Sequence, residues 1–345
     1  MQRNFILTDV MKTGNHQQLE QFINFHSLPD QTFDMTGEYY TLHNYDLDSY
    51  DRKFAIIDCR AENDRFKGNT ELKKELKKRC DLLHSQGFVF IKATPWESLQ
   101  NLTYHKQYPE IEIEHIKWTG GTSFFWFLMY VKHKDTKFSF DHSNKKYDFL
   151  YLNKMPRPHR IKLYNKLKEQ DILDNSLYTN WPDSKLPTEY ELPWAQDYPQ
   201  YGKDQDIFEK PYNDTACSIV SETNDNDYEV FMTEKIWKPI IAGHVFIIHG
   251  NHLYLQKLKE LGFKTFNHYF DESYDLESDK TKRIEKIIQS CVTLQNCDWK
   301  DLYLQTKSLR EHNYRLFFDK NKIGEMVNSQ LELFLEFADS SKIGS

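Results

Sequence analysis

The sequence predicts an α/β protein built from two doubly wound units, each with a parallel sheet. Three observations carry that expectation. The chain has 345 residues, too long for one ordinary domain and suited to two of about 150 residues each. Phe54-Ala-Ile-Ile-Asp58, the amphipathic stretch 71–86 and Phe88-Val-Phe-Ile91 read strand, helix, strand, the βαβ pattern of a parallel sheet. The same order restarts at Tyr147-Asp-Phe-Leu-Tyr-Leu152, with a helix over 160–170 and a strand start at Leu177-Tyr-Thr-Asn-Trp.

Each element has a local reason. Residues 3–10 have the apolar content of a first strand, whereas 16–50 are polar and Tyr-rich with poor periodicity. In 71–86, Leu72, Leu76, Cys80 and Leu83 form one stripe with lysines opposite, as on a helix with a solvated outer face. Ile111-Glu-Ile-Glu-His-Ile116 alternates like a half-exposed strand. Phe124-Phe-Trp-Phe-Leu-Met-Tyr-Val131 is apolar all round, and its pattern fits helix or strand. The Lys-rich stretch 138–146 reads as a linker, which divides the chain into 1–145, 146–310 and a C-terminal helical segment 311–345. Segment 182–214, rich in Pro, Tyr and Asp, reads as an insertion or binding loop. Ala216-Cys-Ser-Ile-Val220 and Val245-Phe-Ile-Ile248 are core strands flanking a helix that Thr233 caps and Ala242-Gly243 closes. Beyond them the pattern predicts helix 252–262, a short strand Lys264-Thr-Phe266, and helices near 281–295, 300–319 and 322–338.

Composition narrows the function classes. A hydrophobic share of 39% with 24 Phe, 21 Tyr and 7 Trp supplies real cores, and 12 Gly and 11 Pro argue against a fibrous or disordered chain. Net charge −7 argues against nucleic acid as a general partner, leaving modified DNA to be considered only as an acceptor. No run of about 18 apolar residues exists, and the first ten residues turn polar too soon for a signal peptide. Five widely spaced cysteines, Cys59, Cys80, Cys217, Cys291 and Cys297, read as reduced packing residues, so a cytoplasmic location is expected.

Three segments of the second half bring chemistry to one predicted edge, because strand C-terminal ends of a doubly wound sheet lie together and bind ligands there. The first is Asn153-Lys-Met-Pro-Arg-Pro-His-Arg160. Lys154, Arg157, His159 and Arg160 crowd a helix N-terminus, a conflict with the dipole that a bound diphosphate resolves. No Gly-x-Gly-x-x-Gly accompanies it. The second is Glu222, just past its strand, suited to bond ribose hydroxyls or to orient Lys235. The third is Thr233-Glu234-Lys235, where Lys235 can pair with phosphate and Glu234 can accept from sugar hydroxyls.

Ser221-Glu-Thr-Asn224, Phe231-Met-Thr-Glu-Lys-Ile236 and Ala242-Gly-His-Val-Phe-Ile-Ile-His-Gly250 together resemble the donor motif of the fucosyltransferase-like glycosyltransferases. That family reads Phe-Glu-Asn-Ser, then Tyr-Val-Thr-Glu-Lys, then an Ala-x-x-x-Pro-Val strand. Leu152-Asn-Lys-Met-Pro-Arg-Pro-His-Arg160 is similar to a loop of phage and viral glycosyltransferase-like proteins. The resemblance spans roughly 147–266. Phe231 stands for the motif tyrosine, and His244-Val-Phe lacks the proline.

The resemblance implies a GT-B fold, two Rossmann-like domains with an interdomain cleft, and a hexosyl- or pentosyltransferase using a nucleotide-diphosphate sugar. It implies donor contacts from Arg157, His159, Arg160, Glu222, Asn224, Thr233, Glu234 and Lys235. Glu234 would hold the ribose, Lys235 with Arg157 or Arg160 would neutralise the diphosphate, and Glu222 would support the site. Fixed cations aimed at a leaving diphosphate serve without metal or other cofactor. Asp225-Asn-Asp227 has the spacing of a metal motif but reads as an acidic turn. An inverting enzyme needs an acceptor-side base. Of Asp58, Glu62, Asp64 and Glu97, we single out Glu62 and Glu97 as catalytic candidates, ahead of His115. The alternative is a non-catalytic nucleotide- or glycan-binding protein on the same fold.

Overall fold

A computed structural model describes residues 3–9, 21, 31–36, 39–58, 70–94, 115–119, 121–180, 183–186, 190, 205–225 and 230–329. The chain divides into two compact units, 1–128 with 320–345, and 129–319. Each holds a five-stranded sheet, so the expected α/β class with two Rossmann-like units is what the chain adopts.

The first unit contains β1 (Arg3–Asp9), β2 (Gln31–Thr36), β3 (Arg52–Asp58), helix α1 (Thr70–Ser85), β4 (Val89–Thr94) and β5 (His115–Thr119). The strands run in the order β2-β1-β3-β4-β5, all parallel. Leu76, Cys80 and Leu83 of α1 pack with Ala55, Ile57, Phe88 and Phe90, as the 3.6-residue stripe requires. Phe54–Ile57 is buried throughout, the mark of a central parallel strand covered on both faces. The order reverses between β1 and β3, the switch point of this sheet.

Helix α2 (Gly121–His133) resolves the all-apolar run as a helix. The second unit continues with β6 (Tyr147–Asn153), α3 (Pro158–Glu169), β7 (Ser176–Asn180), β8 (Asp183–Lys185), α4 (Glu209–Asp214) and β9 (Thr215–Ser221). Then come α5 (Glu234–Ile241), β10 (Val245–His249), α6 (Tyr254–Glu260), α7 (Lys280–Gln295), α8 (Trp299–Gln305) and α9 (Lys307–Phe317). Strand order is β10-β9-β6-β7-β8, with only the short edge strand β8 antiparallel among the described pairs. The switch point lies between β6 and β9. β9 and β10 are buried at every residue. Trp237 of α5 packs against Phe263 and Phe317, with ring centroids 5.5 and 5.9 Å apart.

Several expectations are corrected. The break expected at 145/146 lies at 128/129. Residues 138–146 are tied into the second unit: Ser139 N–H donates to Glu209, Asp141 N–H donates to Asn213, and Lys145 donates to the carbonyls of Tyr212 and Asn213. Residues 311–319 belong to the same unit through α9, leaving 320–345 with the first. Lys264–Phe266 is not a strand. Its backbone is satisfied by side chains instead, Lys264 by Asn313 and Phe266 by Glu272. The expected helix 300–319 breaks at Thr306 into α8 and α9. Cys80, Cys217, Cys291 and Cys297 are free thiols, and no helix among the described residues is long and apolar enough to cross a membrane.

Candidate functional site

The three singled-out segments meet at the switch point of the second sheet. β6 ends at Asn153 and leads into the arginine loop. Arg157 is the N-cap of α3, and Pro158 follows it in the first turn, a position where its missing N–H costs nothing. β9 ends at Ser221, and the backbone N–H of Glu222 still donates to His249 on the neighbouring strand, at 2.9 Å. Glu222 and Thr223 therefore sit rigidly at the sheet edge.

The loop closes on that edge through backbone carbonyls. Arg160 donates to the Glu222 carbonyl from Nε at 3.3 Å and from Nη2 at 3.0 Å, and to Met155 O at 3.4 Å. His159 donates from Nε2 to the same carbonyl, at 3.0 Å. Arg157 donates from Nη1 to Thr223 O, at 3.0 Å. On the other flank, Lys235 Nζ donates to Thr223 Oγ1 at 3.1 Å, Thr233 Oγ1 at 3.2 Å and Glu234 Oε1 at 2.6 Å. Arg157 and Lys235 thus grip two oxygens of one residue, Thr223. The sequence separates them widely, and the sheet order brings them together.

Glu222 is fully buried, and its carboxylate is saturated. It accepts from Thr233 N (3.2 Å), Thr233 Oγ1 (2.6 Å), Thr223 N (3.2 Å) and Tyr254 Oη (2.7 Å). Four donors leave no ready position for a ribose hydroxyl. Of the two expectations for Glu222, orienting Lys235 fits this geometry, because Thr233 Oγ1 joins them. Thr233 also caps α5, with Lys235 N–H at 3.5 Å from its hydroxyl. Glu234 opens the helix at 7% exposure. Burial pushes its carboxyl up, but Lys235 and then Lys238 outweigh that and hold it below the ordinary range.

The four basic groups of the arginine loop are not equivalent. Burial lowers the pKa of His159 in spite of its bond to the Glu222 carbonyl, so it is a neutral donor rather than a cation. Arg160 is 3% exposed and spends its N–H groups on carbonyls. Lys154 and Arg157 are half-buried. Electrostatic crowding in this loop is therefore smaller than the residue count suggests. Asn224 is half-buried, and its Nδ2 has no hydrogen-bond partner among the described residues. Neither has Oδ1 of Asn180, which is 5% exposed at the end of β7. Buried polar atoms of this kind call for an explanation. Asp225 lies 3.5 Å from Lys280 and 3.9 Å from His159; Asn226 and Asp227 are outside the described residues.

Tyr254 and His249 escape sequence reasoning. Tyr254 lies 32 positions from its partner Glu222, with no motif around it. Gly250 is the available signal, since a Cβ there would lie 2.8 Å from the Tyr254 ring. His244, where the family motif lacks its match, is a buried linchpin: Nε2 faces the carbonyls of Tyr212 and Thr215, and Nδ1 faces Ser218 Oγ. Glu62, Asp64 and Glu97 fall outside the described residues, as do the side chains of Asp58 and His115.

No family model matches the chain, and no curated protein matches it. Among solved structures it is similar to a point mutant of T4 phage BGT in complex with UDP-glucose, at 11% identity and a TM-score of 0.46, covering 96% of this chain and 99% of that one. It is also similar to an alpha1,3-fucosyltransferase with GDP-fucose, at 9% identity and a TM-score of 0.34, covering 90% of each chain.

Proposed function

We propose that the chain is a metal-independent, inverting glycosyltransferase that moves a sugar from a nucleotide-diphosphate donor to an acceptor hydroxyl. The observation that carries the reading is the convergence of Arg157 and Lys235 on Thr223 at the switch point of the second sheet, where open α/β sheets bind ligands. Arg157 and Lys235 hold the diphosphate. Glu234 holds the ribose. Arg160, His159, Glu222 and Thr233 fix the frame, and Asn224 offers a donor to the sugar-diphosphate. Between the two arginines, the half-buried Arg157 suits direct phosphate contact and Arg160 suits support.

In the reaction the acceptor oxygen attacks the anomeric carbon. The bond from that carbon to the diphosphate oxygen breaks, and its electron pair stays on the diphosphate. The acceptor proton passes to a general base. Glu62 and Glu97, which follow β3 and β4 in the chain, are the candidates. Negative charge grows on the leaving diphosphate, and fixed cations there lower the barrier.

Calorimetric titration with UDP- and GDP-sugars, paired with a donor-hydrolysis assay, tests the proposal. Lys235→Ala removes a charge-assisted contact worth about 1.5–3 kcal/mol, so donor affinity should fall roughly ten- to hundredfold. If no nucleotide sugar binds or is hydrolysed, and Lys235→Ala changes nothing, the reading fails. Binding without hydrolysis or transfer would instead favour a non-catalytic nucleotide- or glycan-binding protein.

A further inference from the structure

The second unit carries a separate cavity at the opposite edge of its sheet. Its volume is about 840 Å³, within the range of ligand-binding clefts. It lies at the strand amino-terminal edge, since Ser143 precedes β6 and Gly243 precedes β10. The proposed donor site lies at the carboxyl edge, so the two are distinct.

Part of the wall is aromatic: Phe138 and Phe140 stack with centroids 5.2 Å apart, and Tyr303 and Tyr314 line the cavity with them, beside Leu304 and charged side chains such as Lys300 and Asp301. Leu304 is 72% exposed at the rim. Against these walls sits a buried cation, Arg310, 9% exposed. Its guanidinium lies over the Tyr303 ring, 4.3 Å from the centroid. It donates to Thr306 Oγ1 (3.1 Å), Gly243 O (2.9 Å) and Tyr303 O (2.7 Å). A guanidinium has five N–H groups, so two are left. No carboxylate forms an ion pair with it among the described residues.

Lys145 lies behind the arginine, and burial, then Arg310, pull its pKa down to about 7. Lys145 Nζ lies 5.1 Å from the centroid of the same Tyr303 ring and is held by the carbonyls of Asp141, Tyr212 and Asn213. It too makes no ion pair among the described residues. None of the acids that line the cavity pairs directly with Arg310 among the described residues, and Glu311 acts on it only from further off. Asp298 caps α8, Asp301 accepts from Gln305, and Glu311 lies 3.9 Å from Lys307. Burying the Arg310 charge without a paired counter-charge is costly, and an anion in the cavity offsets that cost.

We propose that this cavity binds an organic anion, with a flat apolar body among Phe140, Tyr303 and Tyr314 and an acidic group on Arg310. The inference does not depend on the donor site. Anilinonaphthalene sulfonate is a direct probe, because phenylnaphthylamine has the same kind of aromatic body without the charge. The full-length chain should bind the sulfonate saturably at one site, and the neutral analogue about tenfold or more weakly, since a charge-assisted bond is lost. Leu304→Glu places a negative charge at the rim without touching the core. It should weaken sulfonate binding by a similar factor and leave the unfolding midpoint unchanged; Arg310→Gln, which also loses bonds to Thr306, Gly243 and Tyr303, should weaken sulfonate binding at least as much at a lowered midpoint. UDP and GDP should not displace the probe. Equal affinity for the two probes, an unaffected Leu304→Glu variant, or displacement by nucleotide would each overturn the proposal.

Discussion

Glu222→Gln separates a supporting carboxylate from a ligand-binding one. The wild-type carboxylate accepts four hydrogen bonds at 2.6–3.2 Å, two on each oxygen. A glutamine keeps the shape but has a single acceptor oxygen. Whichever way the amide turns, its NH2 faces a backbone N–H, that of Thr223 or that of Thr233, and neither can rotate away. At about 1.5–3 kcal/mol for each hydrogen bond to a charged group, losing two costs about 3–6 kcal/mol. For a unit of this size each kcal/mol moves the midpoint by about 2–4 °C, so thermal unfolding should shift down by about 10 °C or more. Glu234→Gln is the contrast. Its carboxylate takes one described hydrogen bond from another residue, that of Lys235, so the amide weakens one charge-assisted contact and is spared part of the desolvation that burial imposes. The loss should stay below about 3 kcal/mol, smaller than for Glu222→Gln, while nucleotide-sugar binding falls. Differential scanning calorimetry and titration on both variants decide the matter. If Glu222→Gln melts within about 2 °C of the parent, or if Glu234→Gln falls as far, the assignment of Glu222 to the frame is wrong.

Gly250→Ala should destabilise by about 1–3 kcal/mol, because the new methyl meets the Tyr254 ring at 2.8 Å and pushes it off Glu222. In the Gly250→Ala/Tyr254→Leu double variant the two costs should be less than additive in urea unfolding, and strict additivity would remove the link. Stability should also fall in mild acid. Burial and then His159 pull the His249 pKa down to about 3, whereas the unfolded chain takes up its proton near pH 6.5. This contribution is complete above about pH 6.5 and is lost as pH falls toward the folded value, at about 1.4 kcal/mol per unit. Between pH 7 and about pH 5 the His249 share is about 2 kcal/mol. His159 shifts in the same direction. Urea midpoints for His249→Asn should show a shallower acid slope than the parent, and an unchanged slope would count against this origin.

Sequence pattern reached the sheets and the convergence of the three segments at one sheet edge because both rest on local signals. Val245–His249 and Thr215–Ser221 are apolar enough to be buried strands, and parallel topology then places everything that follows them on one edge. The division of roles within the site was not legible. Whether Arg157 or Arg160 reaches outward depends on which carbonyls accept from them, and those belong to Thr223 and Glu222, over 60 residues away. The unit boundary was missed for a similar reason. The polar look of 138–146 suggests a linker, but Lys145 buries its charge among the carbonyls of Asp141, Tyr212 and Asn213. Nor does Lys264–Phe266 lack strand propensity. Asn313 and Glu272 simply take its backbone bonds before a neighbouring strand can.

The site's charge balance follows from how its groups are held. Arg157, Arg160 and Lys235 against Glu222 and Glu234 leave one positive charge, with His159 held toward its neutral form, and Lys154 and Asp225 nearby offset each other. Glu222 is committed to four internal donors, and Arg160 to carbonyls. Neither can swing to follow a ligand. Adjustment is left to Arg157, Lys235 and Glu234, and in particular to the 2.6 Å contact between Lys235 and Glu234. A phosphate that draws Lys235 away frees a Glu234 oxygen for a sugar hydroxyl. Under the donor roles proposed for Lys235 and Glu234, engagement of diphosphate and of ribose is thereby coupled through one ion pair. A nucleoside alone must compete with Lys235 for Glu234, and inorganic diphosphate alone must compete with Glu234 for Lys235. A nucleoside diphosphate satisfies both at once, so its affinity should exceed what the two fragments predict separately.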